Sequence, residues 1–524
     1  MSLHPLLRQI DILQVCRKVM KCVNLAANRH FTGLPQVKNT RKFIGREKER
    51  RVLESLSTDR SASLAVIRGR RRVGKSALVK EFAKDKIFLS FSGLPPDEGV
   101  TAQDQRDNFV DQLCAQTGIA RPEGSNWFNL FLALSQEITK KKTVLLFDEI
   151  SWMADGDPTF LPKLKLAWDD WFSQKSQLVL ILCGSISSWI EKNILSSTGF
   201  FGRIASQITL EELSLDESIA LLASQNFTGG LFEKMMLLSI TGGVPWYIEL
   251  LGRGGSCSTQ VMQYCFSKDG LLVSEFDRIF HDLFGNRSEI YQRILEALMT
   301  KPLTHQELAE KIDYHSSGVL TDYLNDLVLS GFVAEDSSWS FVTGEAQKFK
   351  QYSLRDYYLR FYFKYIQPHL TRIQKGLFES LPLSSLKNFP ALMGLQFENL
   401  MIQNRSLIYQ AIGVSRQDII FDGPYIQRAT SRAKGCQIDY LIQTRLGVFY
   451  VCEIKLTTKT LGTGVINEVK EKIKNLKTPK NTSLVPVLIY LGERSEDLEN
   501  ADYFIREINA GQWFGGSEIR FTEN

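Results

Sequence analysis

The chain has 524 residues, of which 44% are hydrophobic and 23% are charged, and its formal net charge is +5. This length predicts about three or four domains, and the composition is that of a soluble globular protein rather than a disordered one. A net charge this small neither requires nor excludes a nucleic-acid partner. The eight cysteines form no CxxC pair and no apolar run has membrane-spanning length. We therefore expect reduced thiols, a cytoplasmic location and no membrane span.

Residues 1–40 form a basic extension whose apolar residues recur near helical spacing. A basic amphipathic segment can touch a membrane or serve as a targeting peptide. A short helix packed on the body, or a translated extension before the first domain, explains the same pattern, and we favour this interpretation.

Residues 41–212 alternate strand-like and helical patterns. Helical patterns occupy residues 75–82, 105–116 and 127–138. Strands and helices that alternate at these lengths predict an α/β domain in which helices cover both faces of a parallel sheet. The strand-like runs are residues 64–67, 87–91, 144–147, 178–182 and 204–210.

A phosphate-binding motif follows the first of these strands. Residues 69–76 fit the pattern G-x-x-x-x-G-K-[ST], with a strand before and a helix after, which is the context that the motif requires. The glycines let backbone N–H groups face phosphates, Lys75 places a charge between them, and Ser76 offers a hydroxyl to Mg²⁺. The sequence therefore predicts an ATP site at Gly69, Arg70, Arg71, Arg72, Val73, Gly74, Lys75, Ser76 and Ala77.

An acid pair follows the strand-like run 144–147. Asp148 emerges at the carboxyl end of a buried strand, beside the phosphate loop, where it can hold Mg²⁺ together with Ser76. Glu149 can then polarise a water molecule for attack on the γ-phosphate. The alternative is that Glu149 is merely a surface acid at a strand end. An adjacent pair of acids directly after an apolar run disfavours this alternative.

Two further residues are candidates for the same site. The run 178–182 could enter the sheet between the first strand and the Asp148 strand. Ser185 would then contact the attacking water or the γ-phosphate, unless it is a buried helix cap. Arg203 is either an arginine finger, acting in cis or on a neighbouring subunit, or an ordinary solvated arginine.

Together these segments resemble the archaeal-type ATPase family, a branch of the AAA+/STAND P-loop ATPases. The resemblance extends from about Lys42 to the carboxyl end of the chain and leaves out the first 40 residues. It implies an ATP-hydrolysing core with a helical lid that approaches the nucleotide through Gly243 and Pro245. The segments that carry it begin at Phe43, Gly69, Leu146, Phe201 and Gly242.

Three segments separate this core from the last domain. Residues 213–287 have a helical pattern and are predicted to form the lid. Residues 288–345 have the spacing of a winged helix-turn-helix, with Thr304 as the cap of the second helix and a wing strand near residues 340–342. The third helix, near residues 317–329, carries no Lys or Arg, so we favour a packing role over DNA readout. Residues 346–383 form an aromatic helical linker.

Residues 384–524 contain a predicted hairpin whose strands are residues 437–443 and 448–455. With a turn near Arg445, Asp439 lies opposite about Val451. Because side chains alternate along a strand, Asp439, Glu453 and Lys455 then project from one face, and a one-residue bulge would break this geometry. The even-numbered residues of the two strands, from Ile438 onward, form the opposite face, which is predicted to face the core.

Two carboxylates on adjacent strands can hold Mg²⁺ or Mn²⁺, and a following lysine can stabilise charge on a phosphate. The set of Asp439, Glu453 and Lys455 resembles the PD-(D/E)XK nuclease fold, with Glu398 in the place of the upstream helical acid. The proline of that motif is missing before Asp439. A solvated surface hairpin is the alternative. Four lysines follow in a helix and either track a phosphate backbone or form a solvated face: Lys470, Lys472, Lys474 and Lys477.

The predicted architecture is an α/β P-loop NTPase with a helical lid, then a winged helix, then a restriction-endonuclease-like α/β domain. Its partners would be ATP with Mg²⁺ and DNA, and a homo-oligomer is compatible with an arginine finger. One hypothesis is an ATPase coupled to metal-dependent DNA binding or cleavage. The other is a nucleotide switch of the STAND type whose last domain binds without cutting. A scaffold with a degenerate ATP site is disfavoured because Lys75, Ser76, Asp148 and Glu149 are all present.

Overall fold

The computed structural model describes residues 42–58, 61–95, 99–122, 124, 126–314, 317–341, 345–378, 383–427, 429 and 434–515. The expected helix in residues 1–40 lies outside these residues. Every element below lies within the compact unit Ile44–Asn524. In the described part of the chain, no helix is both long and apolar enough to cross a membrane.

The strands of the first domain form one parallel sheet with the order β2-β3-β4-β1-β5. The central strands β1, β3 and β4 are buried along nearly their whole length, as expected for a sheet covered on both faces. The prediction that the fourth strand lies between the first and third is confirmed. The strands are β1 (Ser63–Arg68), β2 (Ile87–Ser92), β3 (Thr143–Asp148), β4 (Leu178–Gly184) and β5 (Ile204–Thr209).

Helices occupy the connections of this sheet, and local sequence defines their ends. Thr101, for example, begins one helix because its hydroxyl accepts a hydrogen bond from the N–H of Asp104, whose side chain in turn bonds the Thr101 N–H. The helices are Glu47–Thr58, Lys75–Phe82, Ala102–Thr117, Trp127–Glu137, Ile150–Met153, Phe160–Asp170 and Ser187–Ile190.

The segment that was predicted to form the lid is helical. Gly242 ends one of its helices in the left-handed conformation, and Pro245 occupies the first turn of the next, where its missing N–H costs nothing. The lid helices are Leu215–Ser224, Leu231–Thr241, Pro245–Leu251, Cys257–Cys265 and Glu275–Phe284.

The next segment has three helices and a small antiparallel sheet with the order β6-β8-β7. Thr304 caps the second helix through the N–H of Glu307, as predicted. The strand expected near residues 340–342 differs from the structure, in which the first strand of a hairpin ends at Ser340, while residue 342 lies outside the described residues. The second strand of this hairpin, Glu345–Leu354, crosses the predicted boundary at residue 345. The elements are helices Ser288–Leu298, His305–Lys311 and Ser317–Leu329, and strands β6 (Leu303–Thr304), β7 (Val333–Ser340) and β8 (Glu345–Leu354).

The aromatic segment is part of the core and does not behave as a linker. Tyr358 lies 5.1 Å from Tyr247 and Tyr362 lies 4.7 Å from Phe276, measured between ring centroids, and all four rings are buried. Its helices are Tyr357–Phe361 and Leu370–Gln374. The aromatic residues therefore pack against the lid, because burying such large rings stabilises the fold more than exposing them would.

The last domain is built on a mixed sheet with the order β13-β12-β11-β10-β9, in which β9, β10 and β11 are antiparallel and β11, β12 and β13 are parallel. The strands are β9 (Ile419–Gln427), β10 (Cys436–Thr444), β11 (Val448–Leu456), β12 (Ser483–Leu491) and β13 (Arg506–Asn509). The helices are Phe389–Gln403, Arg405–Ile412, Gly464–Asn475, Glu496–Glu499 and Gly511–Phe514.

Candidate functional sites

The phosphate loop, residues 69–76, connects the carboxyl end of β1 to the helix Lys75–Phe82. Gly69 has φ 152°, and a Cβ atom there would lie 2.2 Å from the carbonyl oxygen of Leu210. Gly74 has φ 92° and precedes the first turn of the helix. Glycine is therefore required at Gly69 by the close approach of a neighbouring backbone, and is favoured at Gly74 by the left-handed conformation.

Lys75 is buried, and its ammonium group lies inside the loop. Its Nζ donates hydrogen bonds to the carbonyl oxygens of Gly69 at 2.8 Å and Arg70 at 3.0 Å, and to Ser185 Oγ at 2.8 Å. The charge is thus held beside the backbone that a nucleotide phosphate would contact.

Ser76 and Asp148 meet across the loop. Ser76 Oγ donates a hydrogen bond of 2.5 Å to Asp148 Oδ2. The sheet order brings them together, because Asp148 ends β3, close to the point where β1 enters the loop. A hydroxyl and a carboxylate oxygen are ligands that suit Mg²⁺, so these residues fit the ion that the sequence implies.

Glu149 follows in the left-handed conformation, with φ 49°. Its carboxylate accepts two hydrogen bonds from Ser185, from the N–H at 3.0 Å and from Oγ at 2.7 Å. The next helix, Ser187–Ile190, has no side-chain cap and Ile186 at its N-cap position, so the alternative of Ser185 as a helix cap is wrong. Ser185 joins Lys75 to Glu149, while its contact with water or γ-phosphate stays a prediction.

In the last domain, the hairpin register differs from the predicted one. Leu441, rather than Asp439, pairs with Val451. The difference is an even number of residues, which alone would keep Asp439 on the face of Glu453 and Lys455. However, Asp439 lies outside the residues of β10 that pair with β11, within the one-residue shift of β10 against β9. Ile438 packs with Leu441 and Val451 rather than on the predicted face, because the pairing with β9 shifts between Ile438 and Leu441.

The two hairpin acids are joined by a lysine whose place in the site was missed. Lys472 Nζ lies 2.6 Å from Glu453 Oε2 and 3.3 Å from Asp439 Oδ1, and Asp439 Oδ2 accepts the N–H of Ile454 at 3.0 Å. Lys470, Lys474 and Lys477 are exposed. The helix Gly464–Asn475 contains three lysines, Lys470, Lys472 and Lys474. Its amphipathic period, which places Lys472 nearer the sheet, was the signal that could have identified it.

The remaining side chains complete a charged cluster. Glu453 is only 1% exposed, and its Oε1 has no hydrogen-bond partner, although Lys455 Nζ is 2.9 Å away. Lys455 also pairs with Glu468 at 3.0 Å. Burial, and then the charge of Asp439, raises the pKa of Glu398 to about 7. The two hairpin carboxylates have the oxygen chemistry of a divalent-ion site. Within the described residues, no three His, Cys, Asp or Glu side chains form a metal-binding group.

Residues 43–251 match the family model described as an ATPase domain predominantly from Archaea. This part of the chain is an archaeal-type ATPase domain. It contains the whole parallel sheet, the phosphate loop, Asp148, Glu149 and Ser185, together with the first lid helices. The chain is therefore an ATP-binding protein with an ATPase domain.

Several known proteins are similar to this chain. The uncharacterized protein MJECL04 of Methanocaldococcus jannaschii is 22% identical over 343 residues, which cover 64% of this chain and 72% of that protein. The Walker-type ATPase PABY2304 of Pyrococcus abyssi is 19% identical with a TM-score of 0.49, over 61% of this chain and 96% of that one. The ORC2 protein of Aeropyrum pernix, solved in ADPNP–ADP complexes, is 14% identical with a TM-score of 0.37, over 63% and 93%.

Arg203 lies away from the nucleotide site of its own ATPase domain. It precedes β5, where Ile204 sits beside Leu64, whereas the phosphate loop follows the opposite end of β1. A strand of this length separates the two edges by roughly 20 Å. Arg203 instead pairs with Asp169 through two hydrogen bonds of 2.6 and 2.9 Å. This placement excludes action in cis and leaves action on a neighbouring subunit as a prediction.

The three loop arginines of the ATPase domain each pair with an acid that sequence reasoning missed. Arg70 contacts Asp356 and lies 3.3 Å from Glu212. Burial tends to lower the pKa of Arg70, but the nearby acids, led by Asp356, raise it above its ordinary value. These acids stand at no fixed spacing from the loop, so no sequence pattern marks them. The other pairs are Arg71 with Asp282 and Arg72 with Glu275.

Proposed function

We propose that this protein hydrolyses ATP and couples its ATPase cycle to metal-dependent binding or cleavage of DNA at the hairpin of the last domain. The observation that carries this proposal is the cluster of Asp439, Glu453, Lys455 and Lys472, four charged groups of which one is fully buried. Buried charges are costly unless they are paired or functional, so such a cluster marks a functional site better than a surface group does.

In the ATPase step, backbone N–H groups of the phosphate loop and the ammonium of Lys75 hold the phosphates. When bound, Mg²⁺ would neutralise negative charge on the phosphates. Ser76 Oγ and Asp148 Oδ2, which lie 2.5 Å apart, are the side-chain groups that would hold it. Glu149 accepts a proton from the attacking water, and Ser185 fixes the direction of its carboxylate through two hydrogen bonds.

At the hairpin, Asp439 and Glu453 are the residues that would hold Mg²⁺ or Mn²⁺, which supplies Lewis-acid activation of a phosphodiester when bound. Lys455 lies beside Glu453 and can stabilise negative charge on the phosphate. Glu398, on the helix Phe389–Gln403, is the additional acid of this proposal, and burial and then the charge of Asp439 raise its pKa to about 7. The exposed lysines of the helix Gly464–Asn475 offer contacts to a phosphate backbone.

The three helices and small sheet between lid and last domain are, in this proposal, a winged helix-turn-helix with a packing role. Trp339 of the hairpin β7–β8 stacks on Phe421 with ring centroids 5.0 Å apart, and its Nε1 donates to Gln443 Oε1 at 2.9 Å. A wing that is packed on another domain cannot enter a DNA groove in the same state. The third helix, Ser317–Leu329, exposes no basic residue for phosphate.

The second candidate function is a nucleotide switch whose last domain binds without cutting. The observation that favours it is the direct attachment of the phosphate loop to the lid and to Asp356 through Arg70, Arg71 and Arg72. Such pairs would let nucleotide occupancy change how the lid and the later segments pack. In this function the hairpin cluster would contact a ligand phosphate without hydrolysing it.

The deciding experiment is incubation of the purified full-length chain with supercoiled plasmid and Mg²⁺ or Mn²⁺, with and without ATP. The proposal expects nicking or linearisation that is lost in Glu453→Ala and in Asp439→Asn but kept in Lys75→Ala. Glu471→Gln removes an exposed acid from the neighbouring helix and is the matched control. Cutting that survives Glu453→Ala would come from another site or a contaminant.

If neither single- nor double-stranded DNA is cut under any of these conditions, the nuclease form is rejected. Filter binding of the same DNA then separates the two remaining functions. Binding that is weakened by Lys455→Ala and by ATP supports a coupled DNA-binding protein, whereas no binding leaves the nucleotide switch.

A further inference from the structure

Arg72 stands out in the phosphate loop because its backbone is left-handed. Its φ is 72°, and the other residues of the loop with positive φ are Gly69 and Gly74. For a residue with a Cβ atom this conformation is unfavourable, and a single residue is held in it only when its surroundings compensate. The loop therefore needs a contact that keeps Arg72 in place.

The side chain of Arg72 is held on two sides by the lid. Nε and Nη2 donate to the two carboxylate oxygens of Glu275 at 2.8 and 3.1 Å. The centre of the guanidinium lies 4.0 Å from the ring centroid of Trp246. Glu275 is 0% exposed. A bidentate pair to a buried carboxylate and a stacked aromatic ring fix both the position and the plane of the guanidinium.

We infer that Glu275 is a positioning residue for nucleotide binding. Together with Trp246 it holds Arg72, and through Arg72 it keeps the loop backbone in the shape whose N–H groups receive the phosphates of a nucleoside di- or triphosphate. Glu275 does not touch the nucleotide in this inference. The phosphate-binding shape of the loop thus depends on the position of the lid helix Glu275–Phe284, which gives the lid control over nucleotide affinity.

This inference rests on nucleotide binding at the phosphate loop, which is part of the proposed function. Loss of Glu275 releases Arg72 and lets its backbone leave the left-handed region, so the N–H groups lose their common direction. The loop contacts phosphates in both the ground state and the transition state. The expected result is a KM for MgATP that rises by about tenfold, with a much smaller change in kcat at saturation.

The sharpest test uses glycine at position 72. Glycine adopts positive φ without strain, so a loop with Arg72→Gly no longer needs a partner on the lid. Binding of MgADP is measured by calorimetry, and KM and kcat for MgATP are measured in parallel, for wild type, Glu275→Ala and the double variant Glu275→Ala/Arg72→Gly. The double variant is expected to recover most of the affinity that Glu275→Ala loses.

Two further variants keep the result interpretable. Asp277→Asn changes an exposed acid on the same helix and is expected to bind as wild type does. Glu275→Gln preserves the shape of the side chain and one acceptor oxygen, and an intermediate loss of affinity is expected even where Glu275→Ala folds poorly. Thermal melting of each variant reports its folding.

Wild-type affinity in Glu275→Ala would overturn the inference. So would a double variant that binds MgADP as weakly as Glu275→Ala does, since Glu275 would then matter for lid packing and not for loop conformation. Absence of MgADP binding by the wild type has a different meaning, because it rejects nucleotide binding itself.

Discussion

Ser185 Oγ donates a hydrogen bond of 2.7 Å to Glu149 Oε1, and the same hydroxyl accepts one of 2.8 Å from Lys75 Nζ. A serine at the end of β4 thus connects the phosphate-binding lysine to the acid that would activate water. The connection depends on β4 lying between β1 and β3. The two hydrogen bonds from Ser185 orient the Glu149 carboxylate.

Ser185→Ala is expected to lower kcat for ATP hydrolysis about 10- to 100-fold, since a hydrogen bond to a charged group is lost where geometry controls the reaction. The KM for MgATP should change much less, because the loop contacts to phosphate remain. Phosphate release under steady-state conditions measures both. Ser187→Ala, at a buried hydroxyl without a hydrogen-bond partner, is the control and should be nearly neutral. Equal losses in the two variants would contradict the role of Ser185.

Lys75→Ala and Glu149→Gln are expected to fail in different ways. Without the Lys75 ammonium, the affinity for MgATP should fall by at least about tenfold, because one charge between the phosphates is lost. Glu149→Gln keeps the hydrogen-bonding shape and should retain MgATP binding while turnover falls by about 100-fold or more. Nucleotide binding and phosphate release are measured on the same preparations. Lys80→Ala, an exposed lysine on the same helix, is the control. Wild-type turnover no higher than that of Glu149→Gln would refute hydrolysis.

Arg203 is expected to act only on a neighbouring chain. Turnover per chain should rise with protein concentration in the wild type and stay low in Arg203→Ala, while MgATP affinity at low concentration is the same in both. A dilution series of phosphate release with sedimentation of the same samples tests this. Asp169→Asn removes the partner that holds Arg203 at 2.6 Å and should not reproduce the effect. Rates that do not depend on concentration would remove Arg203 from the catalytic residues.

The Arg70–Asp356 pair is expected to stabilise the fold strongly. Asp356→Ala leaves the buried guanidinium of Arg70 without its nearest carboxylate, and breaking a buried pair on one side costs about 3–5 kcal/mol. The melting temperature should fall accordingly in a thermal scan. Asp216→Ala, an exposed acid, is the control. Replacing both partners, in Arg70→Met/Asp356→Ala, should restore part of the loss, and a double variant less stable than Asp356→Ala would contradict this account.

Glu398 gives the stability a pH dependence that can be worked out from its pKa. Burial, and then the charge of Asp439, raises its pKa in the folded protein from 4.5 to about 7. The folded state therefore holds the proton more tightly than the unfolded state, and this contribution is complete below about pH 4.5 and is lost as the pH rises through about 7. The melting temperature of the wild type minus that of Glu398→Gln should therefore be smaller at pH 8 than at pH 5. Thermal scans of both proteins in EDTA at pH 5 and pH 8 measure this difference in melting temperature. The same difference at both pH values would contradict the prediction.

Much of this protein could be read from short segments. The strand and helix periods, the phosphate loop and the acid pair 148–149 are local patterns, and local patterns follow from side-chain alternation and backbone constraints that act within a few residues. The hairpin was also predicted from its local pattern, but its register was two residues off, and the one-residue shift of β10 against β9 between Ile438 and Leu441 was not predicted. The wing strand and the aromatic segment were placed less well, since their boundaries depend on distant partners.

The sequence by itself determined which residues can bind phosphate and where the parallel strands begin and end. Only the tertiary structure decided that Arg203 lies at the far edge of the sheet, that Lys472 joins the two hairpin acids, and that Arg72 depends on Glu275. Strand order and helix docking bring such groups together, and their energy comes from burial and pairing between segments far apart in the chain. No local spacing carries that information, because the contact exists only once both segments have folded against each other.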